Sequence, residues 1–160
     1  MTDPVITRPY MPGYGIPDET DGVLPWSWAT DLIAAARNPC LSTTRPDGRP
    51  HVMPIWAVWL DGHGVVFSTA ITSIKSKNLL ANPNCAFYFD RDHDNLVVEG
   101  IAEIVQLHEV PGFVDAYHEK YDFRIEEGPV WLMRPTVAFA FIETTEDFTR
   151  TATRWRFKRT

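Results

Sequence analysis

The chain has 160 residues, 44% hydrophobic and 12% aromatic, which suffices for one domain with a sizeable core and excludes a disordered body. Its 21 acidic and 15 basic residues give a formal net charge of −6, which argues against general nucleic-acid binding. No apolar run approaches the roughly 18 residues of a membrane span, and Met1-Thr2-Asp3-Pro4 lacks the features of a secretory signal, so a cytoplasmic protein is expected.

Residues 1–25 are rich in Pro and Gly and read as an extended arm without regular structure, ahead of a domain over 26–160. Tyr10, Met11, Tyr14 and Ile16 suggest that the arm packs on its own domain or on a partner subunit. Trp26 to Arg37 has helical spacing and is stopped by Asn38-Pro39. Strands are expected at Cys40–Thr44, His51–Leu60 and Val65–Ala70, joined by the turns Pro46-Asp47-Gly48-Arg49 and Asp61-Gly62-His63-Gly64. A helix over Ser73–Asn82 precedes strands at Cys85–Asp90 and Leu96–Leu107. A helix over Val110–Tyr121 precedes strands at Val130–Met133, Val137–Ile142 and Ala152–Phe157. About seven strands with hairpin turns and few helices imply a mostly β, mostly antiparallel barrel.

His51–Leu60 is apolar on both faces, with Pro54 unable to donate to a ladder. Such a strand needs two covers: the barrel interior, and either a second subunit or a bound ring system. A homodimer is therefore expected. Cys40 and Cys85 lie in separate strands with no Cys or His at metal spacing, so they read as free thiols and no metal site is expected.

The chemistry concentrates in Ser73-Ile74-Lys75-Ser76-Lys77-Asn78-Leu79. Lys75 and Lys77 fall in the first turn of a helix, where the helix dipole disfavours cations. An anion held between them and the free amides of the helix start resolves the conflict, and a phosphate is the obvious one. Ser68 and Thr69 supply hydroxyls at the preceding strand end, Ser73 caps the helix, and Asn78 adds a polar group one turn on. The irregular edge of His51, Val52, Met53, Pro54, Ile55 and Trp56 offers backbone donors and acceptors to a planar heterocycle. On the last strand Arg154, Arg156 and Lys158 share one face, a uniform sign that suits an anion or an acidic partner. Tyr117, Lys120 and Tyr121 read as a helix face near the barrel mouth, and Gly100 as a mid-strand bulge or close approach. There is no P-loop, no GxGxxG and no Ser–His–Asp set that spacing can assemble, so no catalytic side chain is assigned.

Leu41 to His51, Phe67-Ser68-Thr69, Ser73-x-Lys75-x-Lys77-Asn78-Leu79-x-x-Asn82-Pro83 and Val97-Val98-Glu99-Gly100-x-Ala102 together resemble the pyridoxamine 5′-phosphate oxidase-like flavin-binding split-barrel superfamily, over about residues 26–157. The terminal Ala152-Thr-Arg154-Trp-x-Phe157 resembles the actinobacterial branch that uses the deazaflavin coenzyme F420 (8-hydroxy-5-deazaflavin). The resemblance implies a homodimeric split β-barrel with two cofactor sites at the subunit interface. By motif position it places the phosphate on Lys75 and Lys77 beside Ser73 and Asn78, the isoalloxazine on the His51–Trp56 backbone, and Ser68 and Thr69 near the ribityl chain. Ile74 departs from the Arg often found there in enzymes that use flavin mononucleotide (FMN), which favours F420. The implied function is an oxidoreductase transferring hydride between reduced F420 and a small organic substrate, with Arg154, Arg156 and Lys158, or Arg8, holding the cofactor's acidic tail. The alternatives are an FMN-dependent oxidoreductase of the same superfamily and a flavin- or F420-binding protein without turnover. A weaker reading is a barrel that binds an acidic protein or nucleic acid through the C-terminal strip.

Overall fold

The computed structural model describes residues 4–158. Among these residues nine strands pair antiparallel: β1 (Val5–Thr7), β2 (Cys40–Thr44), β3 (Pro50–Pro54), β4 (Ala57–Leu60), β5 (Gly64–Phe67), β6 (Asn84–Arg91), β7 (Asp94–Val105), β8 (Val130–Ile142) and β9 (Thr153–Arg156). The helices are α1 (Trp26–Ala35), α2 (Ile74–Ala81), α3 (Phe113–Tyr121) and the short α4 (Phe148–Thr151). The strand order is β1-β9-β8-β7-β6-β2-β3, with β5 also on β8 and β4 on β5. No helix among the described residues is long and apolar enough to cross a membrane.

Four expectations are corrected. The arm is not wholly irregular, because Val5–Thr7 pairs with Thr7↔Arg154 and Val5↔Arg156 in register. Arg8 then fastens the arm, its guanidinium donating to the carbonyls of Glu19, Asp21, Arg150 and Ala152 at 2.6–2.9 Å. The single strand expected over His51–Leu60 is two: β3 pairs with β2 and β4 with β5. Pro54 ends the first, and the Ile55 amide turns aside to the Pro39 carbonyl at 2.9 Å.

The two strands expected over 130–142 are instead one. β8 runs through Arg134-Pro135-Thr136 and absorbs the proline in a register shift opposite Glu99/Gly100. Its first half borders β5 and its second half β9, so the sheet branches at this bulge. Gly100 is required there, since a Cβ would lie 2.3 Å from the Arg134 carbonyl oxygen. Helix α3, lastly, starts at Phe113 rather than Val110, after Gly112 at φ 86°.

Two apolar clusters cover β4 and β5 on both faces. Ala57, Val65 and Phe67 face the main core with Leu41, Phe87 and Trp155, while Val58, Leu60 and Val66 face a second core under Phe113, Tyr117 and Tyr121 of α3. For this half of the two-faced segment the second cover is therefore α3 of the same chain. The β3 half stays open, with Val52 and Met53 54% and 42% exposed on an edge strand. Cys40 and Cys85 are both free thiols, and burial pushes the Cys85 thiol up to about 12.

Candidate functional site

Strand β5 ends at Phe67, and Ser68 and Thr69 carry the chain to the start of α2. Ser73 caps that helix, its Oγ accepting from the Ser76 amide at 3.2 Å. The Thr69 hydroxyl lies 3.4 Å from the Ser73 hydroxyl, and the Ser76 hydroxyl donates to the Ala70 carbonyl at 2.9 Å. These bonds fix the turn over 68–73. The first turn of α2 carries no acidic residue, and the amides of Ile74 and Lys75, at the first two helical positions, have no intrahelical acceptor. The positive end of the helix is therefore left uncompensated by the chain itself. Beyond Thr69, Ile71, Ile104 and Trp131 border an apolar cavity of about 180 Å³.

Strand β3 brings a second group of side chains to this helix start. His51 stands opposite Thr43 in the β2–β3 register, and the Thr43 hydroxyl is 3.4 Å from His51 Nδ1. Asn78 of α2 donates to the same Thr43 hydroxyl at 2.9 Å, tying helix to hairpin. The His51 pKa is lowered, first by burial and then by the charges of Arg45 and Lys75. Arg45, His51 and Lys75 thus share one electrostatic neighbourhood, built from the hairpin end, an edge strand and a helix start.

The remaining candidates fall in different places. Lys77 is exposed and two residues from Lys75, about 200° around the helix, so the two lysines do not face one ligand. Asn78 is 2% exposed and spent on Thr43, so it positions the hairpin rather than offering a free contact. Val52, Met53 and Pro54 lie exposed along the edge, whereas Ile55 points into the main core. Trp56 stacks on Tyr121 with ring centroids 4.7 Å apart and planes 8° from parallel.

Arg154 is not brought to this group. The register runs Arg154–Phe139–Val97–Tyr88–Cys40–Pro54, five strand steps of about 4.8 Å each along the sheet. Its Nε donates to the Thr7 hydroxyl at 3.0 Å. Arg8 is committed to carbonyls and is not free to hold an acidic tail. Tyr117 and Tyr121 are buried packing residues, not an open mouth.

Arg45 and Thr43 escaped the sequence reading. Alternation puts both on one face of the β2 segment, and hairpin pairing puts His51 directly across from Thr43. The turn signal at 46–49 sets that register, and the residues flanking the turn carry the pairing.

Residues 29–146 match the family model described as pyridoxamine 5′-phosphate oxidase. A pyridoxine/pyridoxamine 5′-phosphate oxidase of Gluconobacter oxydans (strain 621H) is 33% identical over 97 residues, covering 57% of this chain. The match spans 46% of that enzyme, about half its length. A solved F420 reductase superimposes with a TM-score of 0.55 at 29% identity, over 68% of this chain and 93% of its own. A Mycobacterium tuberculosis protein superimposes with a TM-score of 0.60 at 21% identity, over 89% of this chain and 94% of its own, a likeness of fold. Since the family match spans well over half of the residues and the hairpin, edge strand and capped helix all lie inside it, the chain belongs to the pyridoxamine 5′-phosphate oxidase family.

Proposed function

We propose that the protein is an oxidoreductase that binds a phosphate-bearing flavin-type cofactor, with F420 favoured over FMN. One observation carries the reading: the charges of Arg45 and Lys75 both act on His51, beside a capped helix start that has no acidic residue. That cluster fits a phosphate group, whose charge would answer both the cations and the helix end. Lys75, Arg45, the amides of Ile74 and Lys75 and the Ser73 and Thr69 hydroxyls would hold the phosphate, and the β3 backbone would seat the ring. When bound, such a cofactor supplies hydride transfer, and the chain binds and orients it. Ile74, 49% exposed at the helix start where a second cation would strengthen FMN binding, supports F420. The likeness to an F420 reductase supports it as well.

A homodimer completes the proposal. The open edge of β3 and the partly exposed outer row of Phe139, Val97 and Tyr88 form an apolar face that a second copy would cover.

Titration with FMN and with F420, followed by ring fluorescence, tests the site. Lys75→Ala and Arg45→Ala should each weaken the preferred cofactor about 10-fold or more, the worth of a charge-assisted hydrogen bond. Lys77→Ala should change affinity little. Unchanged affinity in both Lys75→Ala and Arg45→Ala would refute the site. Single-turnover oxidation of the reduced cofactor separates an enzyme from a protein that only binds it, and light scattering reads the dimer.

A further inference from the structure

Lys120 lies on α3, outside the site described above, in surroundings unusual for a lysine. Its Nζ donates to the Ile33 carbonyl of α1 at 2.7 Å and to the Ala57 carbonyl of β4 at 3.1 Å. It makes no ion pair among the described residues. It borders a cleft of about 430 Å³ between α1, β4 and α3, walled by Trp59 and Ala34 and bearing the carboxylates Asp31, Asp61 and Glu119. The Trp59 indole is fixed by its Nε1 donating to Asp61 at 2.8 Å.

A neutral primary amine has two N–H donors and one lone pair. The two carbonyls satisfy the two donors, and the lone pair is left for the cleft. Burial lowers the Lys120 pKa to about 8, so about a tenth of the population has that form at pH 7 and about half at pH 8. The charged or titratable groups around it are Asp31 from α1, Arg37 just after it, Asp61 after β4, and Glu119 and Tyr121 from α3.

We propose that Lys120 is a nucleophilic amine that condenses with small uncharged or cationic aldehydes entering this cleft. The nitrogen lone pair adds to the carbonyl carbon. The two amine protons leave with the carbonyl oxygen as water, and a C=N bond remains. No oxidant or reductant is needed, and the carboxylates in the cleft can relay the protons. The same carboxylates disfavour anionic aldehydes, while Trp59 offers an aromatic wall to a flat one.

The test uses the intact protein and two probes, the uncharged benzaldehyde and the anionic 4-carboxybenzaldehyde, with cyanoborohydride trapping and peptide mapping. The chain has four lysines, Lys75, Lys77, Lys120 and Lys158, so each site is read separately. At pH 8 an ordinary lysine near 10.4 is neutral in well under about 1% of molecules, against about half for Lys120. Its lower basicity returns about a tenfold factor of that advantage. Benzaldehyde should therefore label Lys120 about tenfold faster than the exposed Lys77 and faster than 4-carboxybenzaldehyde does. Lys120→Arg, which keeps donors for both carbonyls, should abolish the fast phase. Labelling of Lys120 no faster than Lys77, equal labelling by the anionic probe, or a fast phase that survives Lys120→Arg would each overturn the proposal.

Discussion

Removing one hydroxyl, in Tyr121→Phe, tests how the β3–β4 break is held. Ala57 opens β4 opposite Phe67 of β5, and its amide and carbonyl turn to a side chain in place of a second strand. The Ala57 amide donates to the Tyr121 hydroxyl at 2.9 Å, and that hydroxyl donates back to the Ala57 carbonyl at 2.9 Å. Tyr121 is 3% exposed and Ala57 fully buried, so no water can substitute. Phenylalanine keeps the ring and its stack on Trp56, so packing is unchanged. The Ala57 carbonyl retains Lys120 Nζ at 3.1 Å, and the loss falls on the amide. An orphaned buried donor costs about 1–3 kcal/mol, and relief from burying the hydroxyl offsets part of the rest, so the net loss should be about 2 kcal/mol. For a chain of this size that is a fall in Tm of about 4–8 °C. Urea unfolding followed by circular dichroism, with the slope unchanged, reads it directly. A Tyr121→Phe protein within about 0.5 kcal/mol of wild type would refute the claim that this hydroxyl replaces a strand partner.

Gly100→Ala should destabilise by about 2–4 kcal/mol, because the added Cβ would sit 2.3 Å from the Arg134 carbonyl oxygen at the β7–β8 bulge; a neutral effect in urea unfolding would contradict the close approach. Arg8→Ala should free the arm, and limited proteolysis should then cut within residues 9–22 at least several-fold faster than in wild type, with equal rates counting against the clasp. Lys120 gives a pH signature. Its folded pKa of about 8 lies below the ordinary 10.5, so the unfolded chain binds the proton more tightly, and the penalty is full below about 8 and fades as pH rises toward 10.5. The stability of wild type minus that of Lys120→Met should therefore rise between pH 8 and 10, and a flat difference would mean that the amine is not desolvated.

The elements that sequence made legible were those with one dominant local signal. Cys40–Thr44 has its predicted limits because Pro39 and the 46–49 turn bound it on both sides. Ser73 caps α2 as expected, because capping is a contact within four residues. What stayed hidden depended on distant partners. Pro135 reads locally as a strand break, and only the long β7 ladder carries β8 past it. Lys75 and Lys77 look like a pair along the chain, but helical rotation parts them, and the second cation acting with Lys75 on His51 is Arg45 of the β2–β3 hairpin. Trp56 reads as a cofactor contact and Tyr121 as part of a helix face near the barrel mouth, yet they stack on each other.

The pairing of β1 with β9 has a consequence for the order in which the molecule can be assembled. Thr7 meets its partner Arg154 only 147 residues later, and β5 waits for β8 in the same way. As the chain leaves the ribosome, β1, β5 and β7 all have open edges until residues 130–156 emerge. Closing such long loops before any contact rewards them slows folding and leaves exposed strand edges in the interval. Arg8 acts only after that, joining backbone made early in synthesis to backbone made late. The arm that looks like an appendage is thus a seal on a finished sheet.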